Sequence, residues 1–292
     1  MPLFEGFEHI LRESEPMGPY TWLRLGGAAD FFAEPNTVEE LAEIVRRAHA
    51  EEMPIRVLGG GSNLLVRDSG VRGLVLHLCS PAFCEIKHDG QTIKSGGGTR
   101  LRHVIATAVG AGLVGLEQLV GIPGTVGGAL HGNAGSQTSD IGHCTTDATV
   151  MTRSGEILAR QRDDLAFAYR QSSLDELVIL DATFQLEEHD PLELTKRMQK
   201  LWIVKQADQP VVNQAMGCIF KDPGGVSAGG LIEQAGLKGT LVGQAKVSDH
   251  NANFFLTASR ATSQDVTSLI DLVHDQVADR LGVQLERQIE IW

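Results

Sequence analysis

Val57-Leu58-Gly59-Gly60-Gly61-Ser62-Asn63-Leu64-Leu65-Val66 decides how the chain is read. Two short apolar runs of strand type flank three glycines and two small polar side chains, which leaves the backbone amides of the turn uncovered. Without β-carbons those amides can turn inward and approach an anion, and Ser62 and Asn63 add side-chain hydrogen bonds. A pyrophosphate needs such a loop; a tight turn between two strands uses the same residue types. A second run favours the ligand: Gly121-Ile122-Pro123-Gly124-Thr125-Val126-Gly127-Gly128-Ala129, followed by Gly132-Asn133-Ala134-Gly135. Neither run is a G-x-G-x-x-G dinucleotide fingerprint, because the last glycine is missing after Gly59-Gly60-Gly61, and no G-x-x-x-x-G-K-[ST] occurs.

At 292 residues the chain exceeds the usual ceiling for one hydrophobic core, so a division into two lobes is expected. A net charge of -12, with few basic clusters, argues against a nucleic-acid surface. It also mildly opposes an anionic ligand, so any phosphate site must be built from local amides, Lys and Arg. Cys79, Cys84, Cys144 and Cys218 form no C-x-x-C pair and show no metal spacing, which points to a reducing compartment and to no resident metal. No apolar run reaches membrane-spanning length, and MPLFEGFEHILRESEP at the N-terminus is acidic and lacks a signal-peptide pattern. A cytoplasmic protein without membrane or nucleic-acid partners is expected, acting as a monomer.

Thr21 to Glu34 reads as strand and turn, then a helix from Val38 to about Glu51 with Thr37 and Glu40 as a capping box and Leu41, Ile44, Val45 and Ala48 on one face. Ile55–Leu58 is a buried strand entering the glycine loop, with strands at 64–66 and 74–78 beyond it, a small β-α-β unit. Asp89-Gly90 marks a hairpin turn. A helix over 100–109 stops at Gly110 and Gly112. Strands return over 146–186, the clearest being LVILDATFQL at 177–186, and Asp190-Pro191 starts a helix of about fifteen residues. Helices over 228–235 and 263–281 are closed by Gly236 and Gly282, and the period-two pattern of 283–292 predicts a terminal strand.

VLGGGSNLLVRDSG, with LRLGGAADF (23–31) before it and GIPGTVGGALHGNAG after it, resembles the UDP-N-acetylenolpyruvoylglucosamine reductase (MurB) family from about Tyr20 to the C-terminus. The resemblance implies an α+β, two-lobed FAD-binding fold of the PCMH (vanillyl-alcohol-oxidase-like) type with a smaller C-terminal α+β substrate domain. It implies an FAD-binding domain over 1–189, itself splitting into two subdomains near 75, and a substrate-binding domain over 190–292 whose last strand, 283–292, returns to the active-site cleft. FAD is then expected at Leu58, Gly59, Gly60, Gly61, Ser62 and Asn63, at Gly121, Ile122, Pro123, Gly124, Gly127, Gly128 and Ala129, and at Asn133, Ala134 and Gly135. The long Tyr-bearing insertion of one family type is not evident.

Phe167-Ala168-Tyr169-Arg170 matches the family's Tyr-Arg pair, which implies that Tyr169 and Arg170 bind substrate and that Arg170 holds the enolpyruvyl carboxylate with its two-pronged guanidinium. Read without that resemblance, an Arg after a Tyr is a surface residue. Gly217-Cys218-Ile219-Phe220-Lys221-Asp222-Pro223 lines up with G-S-x-F-K-N-P, so Cys218 stands where the family's serine gives the proton that completes reduction, and Lys221 and Asp222 fall at substrate-binding positions. A thiol, with a reference pKa of about 8.5, is the more acidic donor; a buried structural cysteine is the plain alternative. The family's catalytic glutamate falls on Gln288. An amide donates a hydrogen bond at every pH but exchanges no proton.

The function implied is NADPH-dependent reduction, through FAD, of the enolpyruvyl group of UDP-N-acetylglucosamine enolpyruvate to the lactyl ether, with the UDP-sugar and NADPH as partners. Two alternatives stay open: an FAD-linked oxidase or dehydrogenase of the same superfamily acting on another substrate, and a non-catalytic protein that binds FAD and the sugar nucleotide, for which Gln288, Asp222 and Asn251 are the motive.

Overall fold

The computed structural model describes residues 3–135, 139–209 and 215–292. The chain forms two compact units that interleave along the sequence rather than following one cut at residue 189: residues 1–14, 30–60 and 72–204 make the first, and 15–29, 61–71 and 205–292 the second.

The first unit carries two sheets. One has the strand order Leu11–Pro16, Ala28–Ala33, Val71–His77, Ile55–Leu58, with the last two parallel. Helix α1 (Val38–Ala50) lays Leu41, Ile44, Val45 and Ala48 onto Leu74 and Leu76 of this sheet. Thr37 caps the helix as expected, but the Glu40 carboxylate reaches the Asn36 amide rather than closing the box on Thr37. The other sheet is antiparallel, in the order Ile157–Gln161, Thr145–Met151, Val178–Gln185, Thr92–Gly96, Ile86–Asp89. Its central strand, VILDATFQ, sends apolar residues to both faces, because both are covered. Val178 and Leu180 join the core under α1, whereas Ile179, Ala182 and Phe184 join a second core with α2 (Leu101–Gly110) and α3 (Val126–His131). A register shift between Ile179 and Asp181 puts Ile179 and Ala182 on one side despite their odd spacing. The hairpin turn falls one residue later than expected: Asp89 pairs with Thr92, so Gly90 and Gln91 are the central residues and only Gly90 has positive φ. Helix α4 (Pro191–Asp208) starts with its first amides on the Asp190 carboxylate and buries Leu194.

The second unit is built on an antiparallel sheet in the order Ala215–Cys218, Phe254–Thr257, Ala245–Val247, Leu241–Val242, packed with α5 (Ala228–Gln234) and α6 (Ser263–Leu281). Leu23, Leu25 and Leu65 share this core. Hydrogen bonds explain why two early segments belong here: Thr257 Oγ1 donates to the Leu23 carbonyl at 2.7 Å, and Asp68 and Ser263 exchange amide-to-side-chain bonds at 2.9 and 3.0 Å. The predicted terminal strand over 283–292 is corrected to a two-residue strand, Glu290–Ile291, parallel to Leu64–Leu65, plus one bridge between Phe220 and Arg287. The Ile219 carbonyl accepts from both Gln288 and Ile289 N–H groups, while the Ile219 and Phe220 amides are already taken by Asn253, so a longer ladder has no partners left.

Candidate functional site

In the first unit the two glycine runs meet backbone to backbone. A β-carbon on Gly60 would lie 2.7 Å from Gly124 Cα, and one on Gly59 would lie 2.8 Å from Thr125 Oγ1. The second run is in turn fixed to a third segment that sequence reading did not single out, Gly97-Gly98-Thr99-Arg100-Leu101. Leu101 N–H donates to the Gly124 carbonyl at 3.0 Å, Val126 N–H to Thr99 at 2.8 Å and Gly127 N–H to Gly97 at 2.8 Å. A β-carbon on Gly97 would sit 1.9 Å from the Ile179 carbonyl oxygen. The glycines therefore allow three backbones to close up, and Gly60 and Gly128 remain exposed at the surface of the cradle. Thr99 Oγ1 is buried with no hydrogen-bond partner among the described residues. A backbone-lined cradle with one orphaned hydroxyl fits a flavin nucleotide, which takes hydrogen bonds from amides and small side chains and needs close approach.

Other cofactor positions sit as follows. Leu58 ends its strand, buried. Gly121, Ile122 and Pro123 are half-buried before Thr125, whose hydroxyl caps α3 by accepting from Gly128 N–H. Ala129 is buried in α3, and its carbonyl accepts from Ala134 N–H at 2.7 Å. Asn133 is used internally: its side chain donates to the Ala168 carbonyl at 2.8 Å and accepts from Gly142 N–H at 3.2 Å. It thus anchors the hairpin formed by Phe167–Ala168 and Gln171–Ser172, whose two-residue turn is Tyr169-Arg170. Arg170 has φ of +57°, a costly conformation for a long side chain. Its Nη1 donates to the Gly135 carbonyl at 3.3 Å, its Cζ lies 5.4 Å from the Tyr169 ring centroid, and its Nε is buried without a partner among the described residues. A guanidinium with an unspent buried N–H is prepared for an acceptor.

In the second unit, Gly61 accepts from Trp22 N–H at 3.0 Å, Ser62 is half-buried, and Asn63 donates from Nδ2 to the Gln288 carbonyl at 3.0 Å. Gln288 N–H donates to the Ile219 carbonyl at 2.7 Å, so this residue's backbone is held from both sides. Cys218 ends the strand Ala215–Cys218 opposite Phe254 and is half-buried. Lys221 forms an ion pair with Glu286, and its N–H donates to the Glu286 carbonyl. Asp222 Oδ1 accepts from Ala228 N–H at 2.8 Å. Either Asp or Asn supplies that oxygen, which accounts for the exchange at this position. Asn251 likewise has a local use: Oδ1 accepts from Asn253 N–H at 3.0 Å, and Nδ2 donates to Asp208 at 3.1 Å.

Asn253 holds the segment that carries Cys218 and Lys221. Its Oδ1 accepts from Phe220 N–H and its Nδ2 donates to the Phe220 carbonyl, both at 2.8 Å, in a buried position. Asn253→Ala leaves two buried backbone groups unpaired, at about 1–3 kcal/mol each. A urea midpoint lowered to match is the expected result, and an unchanged midpoint shows that the clamp carries no stability.

The remaining thiols keep their protons at neutral pH while no ligand displaces them. Burial pushes Cys144 up to about 11, helped by the Glu117 charge. Cys79 is pushed up to about 11 by burial and then by Glu34. Burial raises Cys84 as well.

Two family models match the chain: "FAD binding domain" over residues 29–159 and "UDP-N-acetylenolpyruvoylglucosamine reductase, C-terminal domain" over residues 209–292. Among curated proteins, the UDP-N-acetylenolpyruvoylglucosamine reductase of Rhodopirellula baltica is 37% identical over 99% of this chain and 94% of its own length. That of Listeria innocua is 38% identical over 98% and 96%. The crystal structure of the UDP-N-acetylenolpyruvylglucosamine reductase (MurB) from Thermus caldophilus superposes with a TM-score of 0.81 at 36% identity, covering 97% of this chain and 99% of that one. Among the described residues no helix is long and apolar enough to cross a membrane. With both parts of the chain matched, and with relatives of the same name aligned from end to end, the chain belongs to the UDP-N-acetylenolpyruvoylglucosamine reductase family and has its α+β, PCMH-type FAD-binding fold.

Proposed function

We propose that the protein is an FAD-dependent reductase that uses NADPH to convert the enolpyruvyl group of UDP-N-acetylglucosamine enolpyruvate to a lactyl ether, in the cytoplasm, for peptidoglycan precursor synthesis. The observation that carries this reading is the continuous identity of 37–38% over 288 residues to reductases of that name. FAD supplies a hydride relay from NADPH to the terminal methylene carbon of the enolpyruvyl group.

We assign the flavin to the glycine cradle and substrate binding to Tyr169, Arg170, Lys221 and Asp222. Arg170 binds the enolpyruvyl carboxylate, where negative charge grows as hydride arrives, and its Nε, buried without a partner among the described residues, supports that role. Tyr169 flanks the guanidinium. Lys221 contributes less charge than its position suggests, because Glu286 already neutralises it. Cys218 gives the S–H proton to the carbon next to the carboxylate and recovers one from solvent. Gln288 donates an amide hydrogen bond to the carboxylate and holds it in place.

Arg170→Lys keeps the charge and loses the fork. Reoxidation by the enolpyruvyl substrate should slow by about 10²–10³-fold, the usual cost of one lost charge-directed donor, with flavin reduction by NADPH nearly unchanged. Equal damage to both half-reactions, followed anaerobically by flavin absorbance, removes Arg170 from the carboxylate role. If NADPH bleaches the flavin but the enolpyruvyl substrate fails to reoxidise it, a different substrate or a non-catalytic binding role leads instead.

A further inference from the structure

The first unit holds a second set of chemistry-bearing side chains that the reductase reading does not use. Glu34 follows the strand Ala28–Ala33, and His77 ends the neighbouring strand Val71–His77. Cys79 comes two residues later, where its N–H bonds back to the His77 carbonyl at 3.2 Å. The ends of two neighbouring strands therefore bring together a carboxylate, an imidazole and a thiol. His77 Nδ1 lies 2.8 Å from Glu34 Oε1, and Cys79 Sγ donates to the same oxygen at 3.3 Å. One atom of each side chain lies within 4.8 Å of the others.

We propose that Glu34, His77 and Cys79 form a binding site for a divalent transition-metal ion of the zinc type, independent of the reductase chemistry. Tetrahedral zinc, with bonds of about 2.0 Å to N and O and about 2.3 Å to S, sets its ligand atoms roughly 3.3–3.6 Å apart. The 2.8 and 3.3 Å separations from Glu34 need a spread of about half an ångström to admit the ion, and the imidazole and thiol, within 4.8 Å of each other, close on it by rotation of side chains that are half-buried or exposed. The donor set decides the class of metal. Thiolate and imidazole together favour zinc, cobalt or nickel over calcium or magnesium, which take oxygen ligands.

The surroundings hold the site in shape. Arg12 is paired with Glu34 Oε2, leaving Oε1 as the ligand atom, and its guanidinium stacks 4.9 Å from the Phe32 ring centroid. Phe32 in turn lies 5.9 Å from the His77 ring. An outer partner that fixes a ligating carboxylate is the usual support of a metal site. Binding balances as follows: three metal–ligand bonds form, the Cys79 S–H bond breaks with its proton passing to solvent, and the imidazole proton resides on Nε2 once Nδ1 binds the ion. Three protein ligands leave the fourth position to water. Sequence spacing misses the set because its members stand at 34, 77 and 79, and a Cys-x-x-Cys rule never samples it.

The test uses the flavin-loaded protein. Calorimetric titration with Zn2+ should show one ion per chain, and Co2+ should give the long-wavelength absorption bands of a tetrahedral site with a thiolate ligand. Cys79→Ser and His77→Ala should each weaken Zn2+ by about 100-fold or more, since even outer partners of a metal site cost 10–100-fold. Glu34→Gln should weaken it less, and Cys218→Ser should leave it unchanged. Cys79 is exposed, so its serine variant has no folding cost to confuse the result. An octahedral cobalt spectrum overturns the proposal, as does weak uptake equal in wild type and Cys79→Ser, an adventitious ion only.

Discussion

Gly60→Val is expected to purify without flavin while the second unit stays folded. Its β-carbon would fall 2.7 Å from Gly124 Cα, closer than real β-carbons approach backbone. Gly124 cannot yield, because its carbonyl accepts from Leu101 N–H at the start of α2. Gly60 is absent from the residues with positive φ, so the damage is steric rather than conformational. Valine adds two further methyl groups on the exposed side that the amides present to a ligand. Overpacking alone costs about 1–3 kcal/mol, a factor of roughly 5–150 in flavin affinity, and blocking the approach adds to it. The measurement is the ratio of flavin to protein absorbance after purification, with a thermal melt to show that the fold persists. A variant that retains full flavin removes the first glycine run from the cofactor site.

The sequence made this cradle legible because glycine is the one residue whose purpose is close approach, and two glycine-rich runs in one chain are hard to read otherwise. Thr99 and Gly97 escaped notice for the opposite reason: GGGTR sits between a hairpin and a helix, where glycines read as punctuation, and the orphaned hydroxyl appears only once its surroundings are packed. Helices α1, α2, α4, α5 and α6 were read closely because caps and periodicity are local, whereas α3 was missed because its glycine-rich start reads as loop. Thr37, Asp190 and Gly282 mark their ends in the structure as they do in the sequence. The terminal strand failed because alternation is a local signal, whereas pairing depends on a partner. Asn253, thirty-odd residues away, occupies the amides that a ladder with Ile219 and Phe220 would use. The interleaving of the two units was equally invisible, since it rests on single long-range bonds such as Thr257 to Leu23. Asp222 and Asn251 looked like departures from a catalytic pattern, yet both have a local hydrogen-bonding task.

Cys218→Ala is expected to abolish turnover at the oxidative half-reaction, with flavin reduction by NADPH intact. General acid catalysis contributes about 10²–10⁴-fold, and alanine leaves no proton at the position. The pH dependence separates a donor from a structural thiol. Cys218 gives a proton only while it is S–H, so the wild-type rate of reoxidation should hold at low pH and fall as pH rises through the thiol's pKa; the thiolate has nothing to donate. Cys218→Ser should remove that alkaline fall, because a hydroxyl stays protonated across the range. Gln288 supplies the counter-test. Its backbone is fixed by Asn63 and Ile219, so Gln288→Glu changes the side chain's chemistry without moving the chain. A carboxyl there must be protonated to donate to the substrate carboxylate, and this variant should therefore gain a dependence on acid that the amide lacks. Glu286 is no substitute in the wild type, since it is committed to Lys221. Stopped-flow reoxidation against pH for wild type and the three variants reads all of this in one series. If Cys218→Ala reoxidises at the wild-type rate with the wild-type profile, the thiol is a packing residue, and the proton reaches the substrate from another group.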